Sequence, residues 1–303
     1  MKHLLPILLA LFIAISPAQA QKKKKAPANY AKPLSGLYLN VDAGLLIPND
    51  KQSNFYCGRP NVPNDLRRVL NSQMYGTQIW NNLVSQQLIS PSAIHDYGEL
   101  RVAEYADMYY KLSFQLGFGF RYVRDNGWGW LMRFDFADVT AAGQFLIDAT
   151  NGTGILGQNQ YVTCGIFGRE KRIFIDFGIA KRIPLTNLLD LEIDFGFDVN
   201  NIKVSQNAIS VGGQTYSILD VWDGRTPEMG TGTYEYINQG ALGIGGFATI
   251  ALSRRLPSGA LDLGYTCAYM QTKYRTYNET DCYAPQHTIF LRFNLNNFSF
   301  FKK

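Results

Sequence analysis

Through residues 109–123 the chain alternates with a period of two. Tyr110, Leu112, Phe114, Leu116, Phe118, Phe120 and Tyr122 fall in one set, and Lys111, Ser113, Gln115, Gly117, Gly119 and Arg121 in the other. A helix would scatter the two sets around its axis, whereas a strand puts them on opposite faces, so the segment predicts a two-faced strand. The pattern recurs with Trp130, Met132, Phe134 and Phe136 outward against Leu131, Arg133, Asp135 and Ala137 inward. It is nearly without error in Leu189, Leu191, Ile193, Phe195, Phe197 and Val199 against Asp190, Glu192, Asp194, Gly196, Asp198 and Asn200. Further strands are predicted near residues 36–47, 172–183, 240–253, 260–274 and 287–298, and the acidic strand extends over 188–204, giving eight in all. Between the first two strands quoted, Asn126-Gly127 predicts a tight type I′ hairpin, in which both central residues take positive φ.

The connections decide what the strands build. Residues 124–127, 182–187 and 254–259 are short joins, 49–105, 145–171 and 205–239 are long ones, and 275–286 is intermediate. A soluble sandwich turns its polar face to water and its apolar face to a shared core. Regular alternation of long and short joins instead marks a closed barrel in an outer membrane, with short turns in the periplasm and long loops outside. An even strand count leaves both termini in the periplasm. The amino terminus fits that address: Lys2 and His3 precede an apolar stretch over 4–15, and Ser16-Pro17-Ala18-Gln19-Ala20 supplies a cleavage site, so residues 1–20 read as a signal peptide. Residues 21–35, with Lys22 to Lys25 and Lys32, read as a flexible basic periplasmic lead, and 36–303 as the barrel, with 49–105 as a loop insertion. The mean hydropathy of −0.13 fits strands that spread apolar residues one in two.

The last predicted strand, Thr288-Ile289-Phe290-Leu291-Arg292-Phe293-Asn294-Leu295-Asn296-Asn297-Phe298, resembles the aromatic terminal signal read by barrel-assembly machinery. With its strand count and hairpin alternation, the chain over 36–298 resembles the eight-stranded outer-membrane barrel superfamily, the OmpA-like and OmpW-like proteins. The resemblance implies an all-β, antiparallel up-and-down transmembrane barrel, commonly filled by side chains. It implies no single activity.

Eight strands enclose a space just wide enough for side chains. The inward set includes Asp42, Lys111, Arg121, Arg133, Asp135, Asp176, Asp190, Glu192, Asp194, Asp198, Asp262 and Arg292, which predicts a paired charge network rather than open water. The acidic excess leaves a cation-selective pore as the sharper alternative. Outward Tyr110, Tyr122, Trp130, Tyr265 and Tyr269 suit interfacial girdles, and Arg124, Lys181, Arg182, Arg254 and Arg255 suit periplasmic turns, where they can snorkel toward headgroups.

Loop 49–105 is predicted to be partly helical. Pro63-Asn64-Asp65 can cap a helix with Leu66, Val69 and Leu70 on one face. A second run places Ile79, Trp80, Leu83, Val84, Gln87 and Leu88 at spacings of three and four, and Ser90-Pro91 opens a third turn. Trp80, Leu83, Val84 and Leu88 are candidate partner-binding residues; the plainer reading folds these helices over the barrel mouth. Cys57, Cys164 and Cys282 fall in outer loops, an oxidising location, with Cys57 and Cys282 the favoured disulfide, while Cys267 faces lipid. The cysteine spacing matches no metal site, and no cofactor is expected. His95-Asp96 with Ser90 or Ser92 is the best catalytic candidate, but the residues are adjacent in one segment with no strand to fix them, and no G-x-S-x-G, H-E-x-x-H or phosphate loop is present. His287 reads as an interface residue. The net charge of +5 forms no basic stripe for nucleic acid. The expectation is a non-catalytic anchor, an accessory subunit of a secretion, assembly or uptake complex. Its expected partners are outer-membrane lipid and other outer-membrane or cell-surface proteins. A lipid-modifying hydrolase or acyltransferase and a narrow solute channel are the alternatives.

Overall fold

The computed structural model describes residues 35–60, 64–89, 100–148, 161–218, 239–257, 259–274 and 283–295. The strands are β1 (Gly36–Ile47), β2 (Val102–Glu104), β3 (Tyr109–Tyr110), β4 (Ser113–Val123), β5 (Trp128–Asp148), β6 (Tyr161–Pro184), β7 (Leu189–Val211), β8 (Gln214–Ser217), β9 (Leu242–Leu256), β10 (Gly259–Gln271) and β11 (Tyr283–Leu295). Eight of them, β1, β4, β5, β6, β7, β9, β10 and β11, pair antiparallel in that order. β11 then pairs back onto β1, with Asp42 opposite Arg292, and the sheet closes on itself. Closure removes every edge of the ring, the condition for a sheet to cross a lipid bilayer.

The strand period sorts the side chains. Outward, Phe114, Phe118, Trp130, Phe136, Phe177, Ile179, Phe195, Phe197, Ile244 and Ile250 stand exposed, while inward Arg121, Arg133, Asp135, Glu192 and Asp262 are buried. In water this would be an inside-out protein; in hydrocarbon it is the stable arrangement. No described helix is long and apolar enough to cross a membrane.

A membrane-crossing strand needs about 9–11 residues. β5, β6 and β7 have 21, 24 and 23. Because their periplasmic ends meet short turns, the surplus projects outward, and residues 145–148, 161–171, 205–211 and 214–217, predicted as loop, are strand. β5 and β6 stay paired as far as Asp148 and Tyr161, and β7 turns at Gly212-Gly213 into β8. Cys164 accordingly sits buried on β6 rather than in a loop. β10 stops at Gln271, and Tyr274 continues the predicted strand only as an isolated bridge to Gly240. β11 begins at Tyr283, and Phe298 lies outside the described residues.

The turn at 124–127 differs from type I′. Gly127 alone has positive φ, +78°; its amide donates to the Arg124 carbonyl (2.8 Å), and the Arg124 amide to that of Trp128 (2.8 Å). This is a three-residue connection with glycine at the left-handed position, as a type I turn followed by a bulge requires.

Above the ring, a 3₁₀ helix (Asp50–Tyr56) dips toward the mouth and two α-helices (Leu66–Leu70 and Gly76–Ser85) lie over it. Asp65 caps the first helix through the Arg67 amide (2.9 Å). Leu66, Val69, Leu70, Ile79 and Leu83 are buried with Phe145, Ile147, Ile166, Ile209 and Tyr216 in one apolar cluster. Asn82 ties the longer helix to the β7–β8 turn by donating to the Val211 carbonyl (3.0 Å).

Candidate functional site in the lumen and at the outer mouth

The lumen is layered by charge. Nearest the periplasm, the Glu192 carboxylate accepts from Arg121 and Arg182, Asp194 accepts from Arg121 at 2.5 Å, and Asp190 accepts from Arg255 Nε at 2.9 Å. Arg292 approaches Asp194 at 3.6 Å, and Asn294 donates to Asp262 at 2.6 Å. Arg182 also stacks over the Tyr38 ring, 5.0 Å from its centroid. Arg121, Arg182, Glu192 and Asp194 are no more than 1 % exposed.

In the next layer Arg133 holds Asp176, by Nε at 3.0 Å and by its terminal nitrogen, and Asp135 at 2.8 Å. Asp198, opposite Asp176 across β6 and β7, accepts from Asn200 at 3.1 Å. Gly117 makes this crowding possible: a Cβ there would stand 1.9 Å from the Asp135 Oδ1 and 2.5 Å from the Asp42 Oδ1. A cavity of about 20 Å³ remains, lined by Arg133, Asp135, Asp176, Asp198, Gln286 and Thr288. That volume holds about one water molecule.

The mouth is closed by aromatic and polar groups together. Glu170 Oε1 accepts from the hydroxyls of Tyr110 (2.9 Å) and Tyr274 (2.6 Å), its Oε2 accepts from Arg172 Nε (2.7 Å), and Arg172 lies over the Tyr110 ring at 4.9 Å. Phe55 of the 3₁₀ helix stacks on Tyr274 at 4.1 Å, and Gln286 donates to Gln52 at 3.2 Å. Burial, with the Glu170 carboxylate adding to it, pushes the Tyr56, Tyr110 and Tyr274 hydroxyls well above the usual phenol range. Tyr110 and Tyr274 therefore remain donors to the carboxylate between them.

A closed ring with an apolar exterior and a polar, ion-paired interior has one stable setting, a bilayer. The chain is an eight-stranded membrane-spanning β-barrel. Among solved structures, the barrel is similar to the Neisserial surface protein A (NspA; 11% identity, TM-score 0.35, covering 87% of this chain and 98% of that one). It is also similar to Ail, the attachment invasion locus protein of Yersinia pestis, in complex with the heparin analogue sucrose octasulfate (12%, 0.31, 85% and 97%). LpxR from Salmonella typhimurium is a weaker likeness (10%, 0.21, 84% and 99%). Likenesses at these scores carry no argument about activity. No protein-family model and no curated protein matches the chain.

The structure buries Asp42, Arg121, Arg133, Asp135, Asp176, Asp190, Glu192, Asp194, Asp198 and Arg292 inside the barrel. Lys111 is a correction: it is exposed on the outer wall, because Lys111 and Leu112 both face out where β3 ends and β4 begins. That break in alternation also reverses Tyr110, which points into the mouth rather than toward lipid. Arg182, expected to snorkel at the periplasmic rim, is instead buried against Glu192. Of the partner-binding candidates, Leu83 is fully buried, Trp80 and Val84 are partly buried, and Leu88 is 36% exposed. Cys57 is buried at the end of the 3₁₀ helix, and Cys267 is on the outward face of β10. Cys282, Ser90, Ser92, His95, Asp96 and residues 1–34 lie outside the described residues. His287 faces outward, its Nδ1 2.7 Å from the Tyr265 hydroxyl. Glu170 and Arg172 form a mouth pair although Glu170 lies in the predicted loop; the inward alternation of Val162, Cys164, Ile166, Gly168 and Glu170 continues the strand through it.

Proposed function

We propose that the barrel is a non-catalytic anchor and an accessory or structural subunit of a larger outer-membrane complex. Its outer loops and the wall projecting on β5, β6 and β7 bind another outer-membrane or cell-surface protein. The observation that carries this reading is the division of the molecule into a filled cylinder and an ordered outer platform. The cavity between Arg133, Asp135, Asp176 and Asp198 in the lumen is water-sized, whereas the part beyond the hydrocarbon spends two α-helices, a 3₁₀ helix and about half of three long strands on a shaped surface. Leu88 is exposed on that surface just past the helix that carries Trp80 and Val84, both partly buried, with Leu83 as the helix's buried anchor. A disulfide between Cys57 and Cys282 belongs to the same proposal, since it would tie the 3₁₀ helix to the approach of β11 across the barrel seam.

The test is extraction in a gentle detergent, affinity isolation of the full chain and mass spectrometry of what accompanies it. Co-isolation of a stoichiometric membrane protein, lost on Trp80→Ala/Leu88→Ala, is expected. Recovery only as a single barrel, with or without prior crosslinking of intact cells, refutes the subunit reading.

A further inference from the structure

We infer that the middle layer of the lumen binds one dehydrated monovalent metal cation, sodium or potassium, among the oxygens of Asp135, Asp198, Gln115, Thr266 and Thr288. The argument begins with charge. In the layer nearest the periplasm Arg121, Arg182, Arg255 and Arg292 face Asp190, Glu192, Asp194 and Asp262, which balances, and at the mouth Arg172 balances Glu170. Between them, Asp42, Asp135, Asp176 and Asp198 have Arg133 as the one guanidinium of their own layer among the described residues. All four carboxylates are no more than 5% exposed. Buried charge of one sign is costly until opposite charge meets it.

The hydrogen bonds leave the same deficit. Arg133 reaches Asp176 and the Oδ2 of Asp135, and Asn200 donates to the Oδ1 of Asp198. The other oxygens of the last two, Asp135 Oδ1 and Asp198 Oδ2, are buried with no donor, as is Asp42 Oδ1. Asp135 and Asp198 both line the cavity of about 20 Å³. Neutral oxygens complete the wall. Thr288 gives its hydroxyl proton to Gln115 at 3.2 Å, which leaves the Thr288 oxygen free to turn a lone pair to a cation, and Thr266 shares a proton with Thr249 at 2.8 Å.

Size and donor set select the ion. Oxygen ligands suit hard cations. A cavity with room for about one water takes an alkali cation stripped of its hydration shell, but not magnesium, which keeps several of its waters. No three acidic, histidine or cysteine side chains converge as a chelating group among the described residues, and Arg133 stands in the cavity wall. Both facts favour a single charge over a double one. Gly117 keeps the layer from closing up, since a Cβ there would stand 1.9 Å from Asp135 Oδ1.

The experiment is urea unfolding of the full mature chain in zwitterionic lipid vesicles, with sodium exchanged for the bulky cation N-methylglucamine at constant pH and ionic strength. A ligand bound to the folded state alone should raise the parent's midpoint by roughly 0.7 M urea for each tenfold rise in free sodium above its dissociation constant. Asp198→Asn removes one surplus charge and one ligand oxygen: its midpoint should not respond to sodium, and in N-methylglucamine it should lie above the parent's. Asp138→Asn, the same change on the exposed outer face of β5, should keep the full sodium response. If Asp198→Asn fails to fold, Thr288→Val, which removes a neutral ligand, must still move the response to higher sodium. A parent midpoint indifferent to the exchange, protons then carrying the counter-charge, or an Asp198→Asn response equal to the parent's, overturns the assignment. A response to calcium and not to sodium overturns the choice of a monovalent ion.

Discussion

Replacing Glu192 by Gln tests whether the ionic interior holds the barrel together. Glu192 is fully buried and accepts from Arg121 and Arg182 at once. Arg121 keeps a second carboxylate, Asp194 at 2.5 Å. Among the described residues Arg182 has Glu192 as its only ion-pair partner, with Asp262 a more distant negative charge and the Tyr38 ring beneath it. The substitution preserves shape and one acceptor but leaves the Arg182 guanidinium without a direct ion-pair partner, with Asp262 only as a more distant counter-charge, in a medium where an unpaired ion is costly. Removing one partner of a buried pair costs about 3–5 kcal/mol. At a urea dependence of about 2 kcal/mol per molar, the unfolding midpoint should fall by roughly 2 M. The measurement is reversible urea unfolding in lipid vesicles, followed by tryptophan fluorescence. Adding Arg182→Met should recover a large part of the loss, because it removes the orphaned charge instead of a contact. A Glu192→Gln midpoint within experimental error of the parent, or a double variant less stable than the single, would show that this layer is solvated and the sealed-lumen argument wrong.

Other consequences lie at the mouth. Gly168→Val should unseat the 3₁₀ helix, since even a Cβ would stand 2.2 Å from the Tyr56 ring; faster cleavage of the 49–105 insertion by external protease, with the barrel itself intact, is the expected readout. Tyr110→Phe removes the 2.9 Å bond to Glu170 and should cost about 1–2 kcal/mol, measured by the same urea unfolding. Raised tyrosine values in the folded state mean that the mouth's contribution is complete below the ordinary phenol value of 10.0. It is lost as pH rises from there through the folded-state values, so loop protection should weaken in alkali and not between pH 5 and 9. In planar bilayers the parent should show no steady conductance, and Arg172→Ala alone should not open one, because the Arg133 and Glu192 layers still block the path.

The barrel was legible because its determinant is local. Two faces per strand and short turns every other join are properties of adjacent residues, and β1 falls at Gly36–Ile47 as the alternation predicts. The errors came where a second influence acts on the same alternation. Tyr110 and Lys111 are misread because the chain breaks phase at the junction of β3 and β4, an event set by the Lys111–Thr140 backbone bond and not by side-chain pattern. Glu170 and Arg172 look like loop charges until Tyr110 and Tyr274 arrive from distant segments to bury them. The Arg182–Glu192 pair spans a short hairpin, yet a basic residue beside a turn reads as a rim residue unless closure of the ring is known to seal it. Sequence reports the period; burial at either end of a strand depends on what covers that end.

The same period links the inside of the barrel to its outside. A side chain turned inward to satisfy another buried group dictates which neighbours must face out, so the mouth and the outer wall are not independent designs. Glu170 and Arg172 are held in by two tyrosines and two glutamines, and that constraint is what turns Arg169 and Lys171 out at the upper edge of the apolar belt. Losing the inward bonds would free the bulge at Ser205, opposite Arg169 and Glu170, to migrate and would scatter the outward cations without touching any of them. Because the lumen is filled, stability is concentrated in residues no protein partner reaches. On the proposed reading, recognition falls to the residues that alternate with them, on the wall and above the mouth, where the side chains remain accessible.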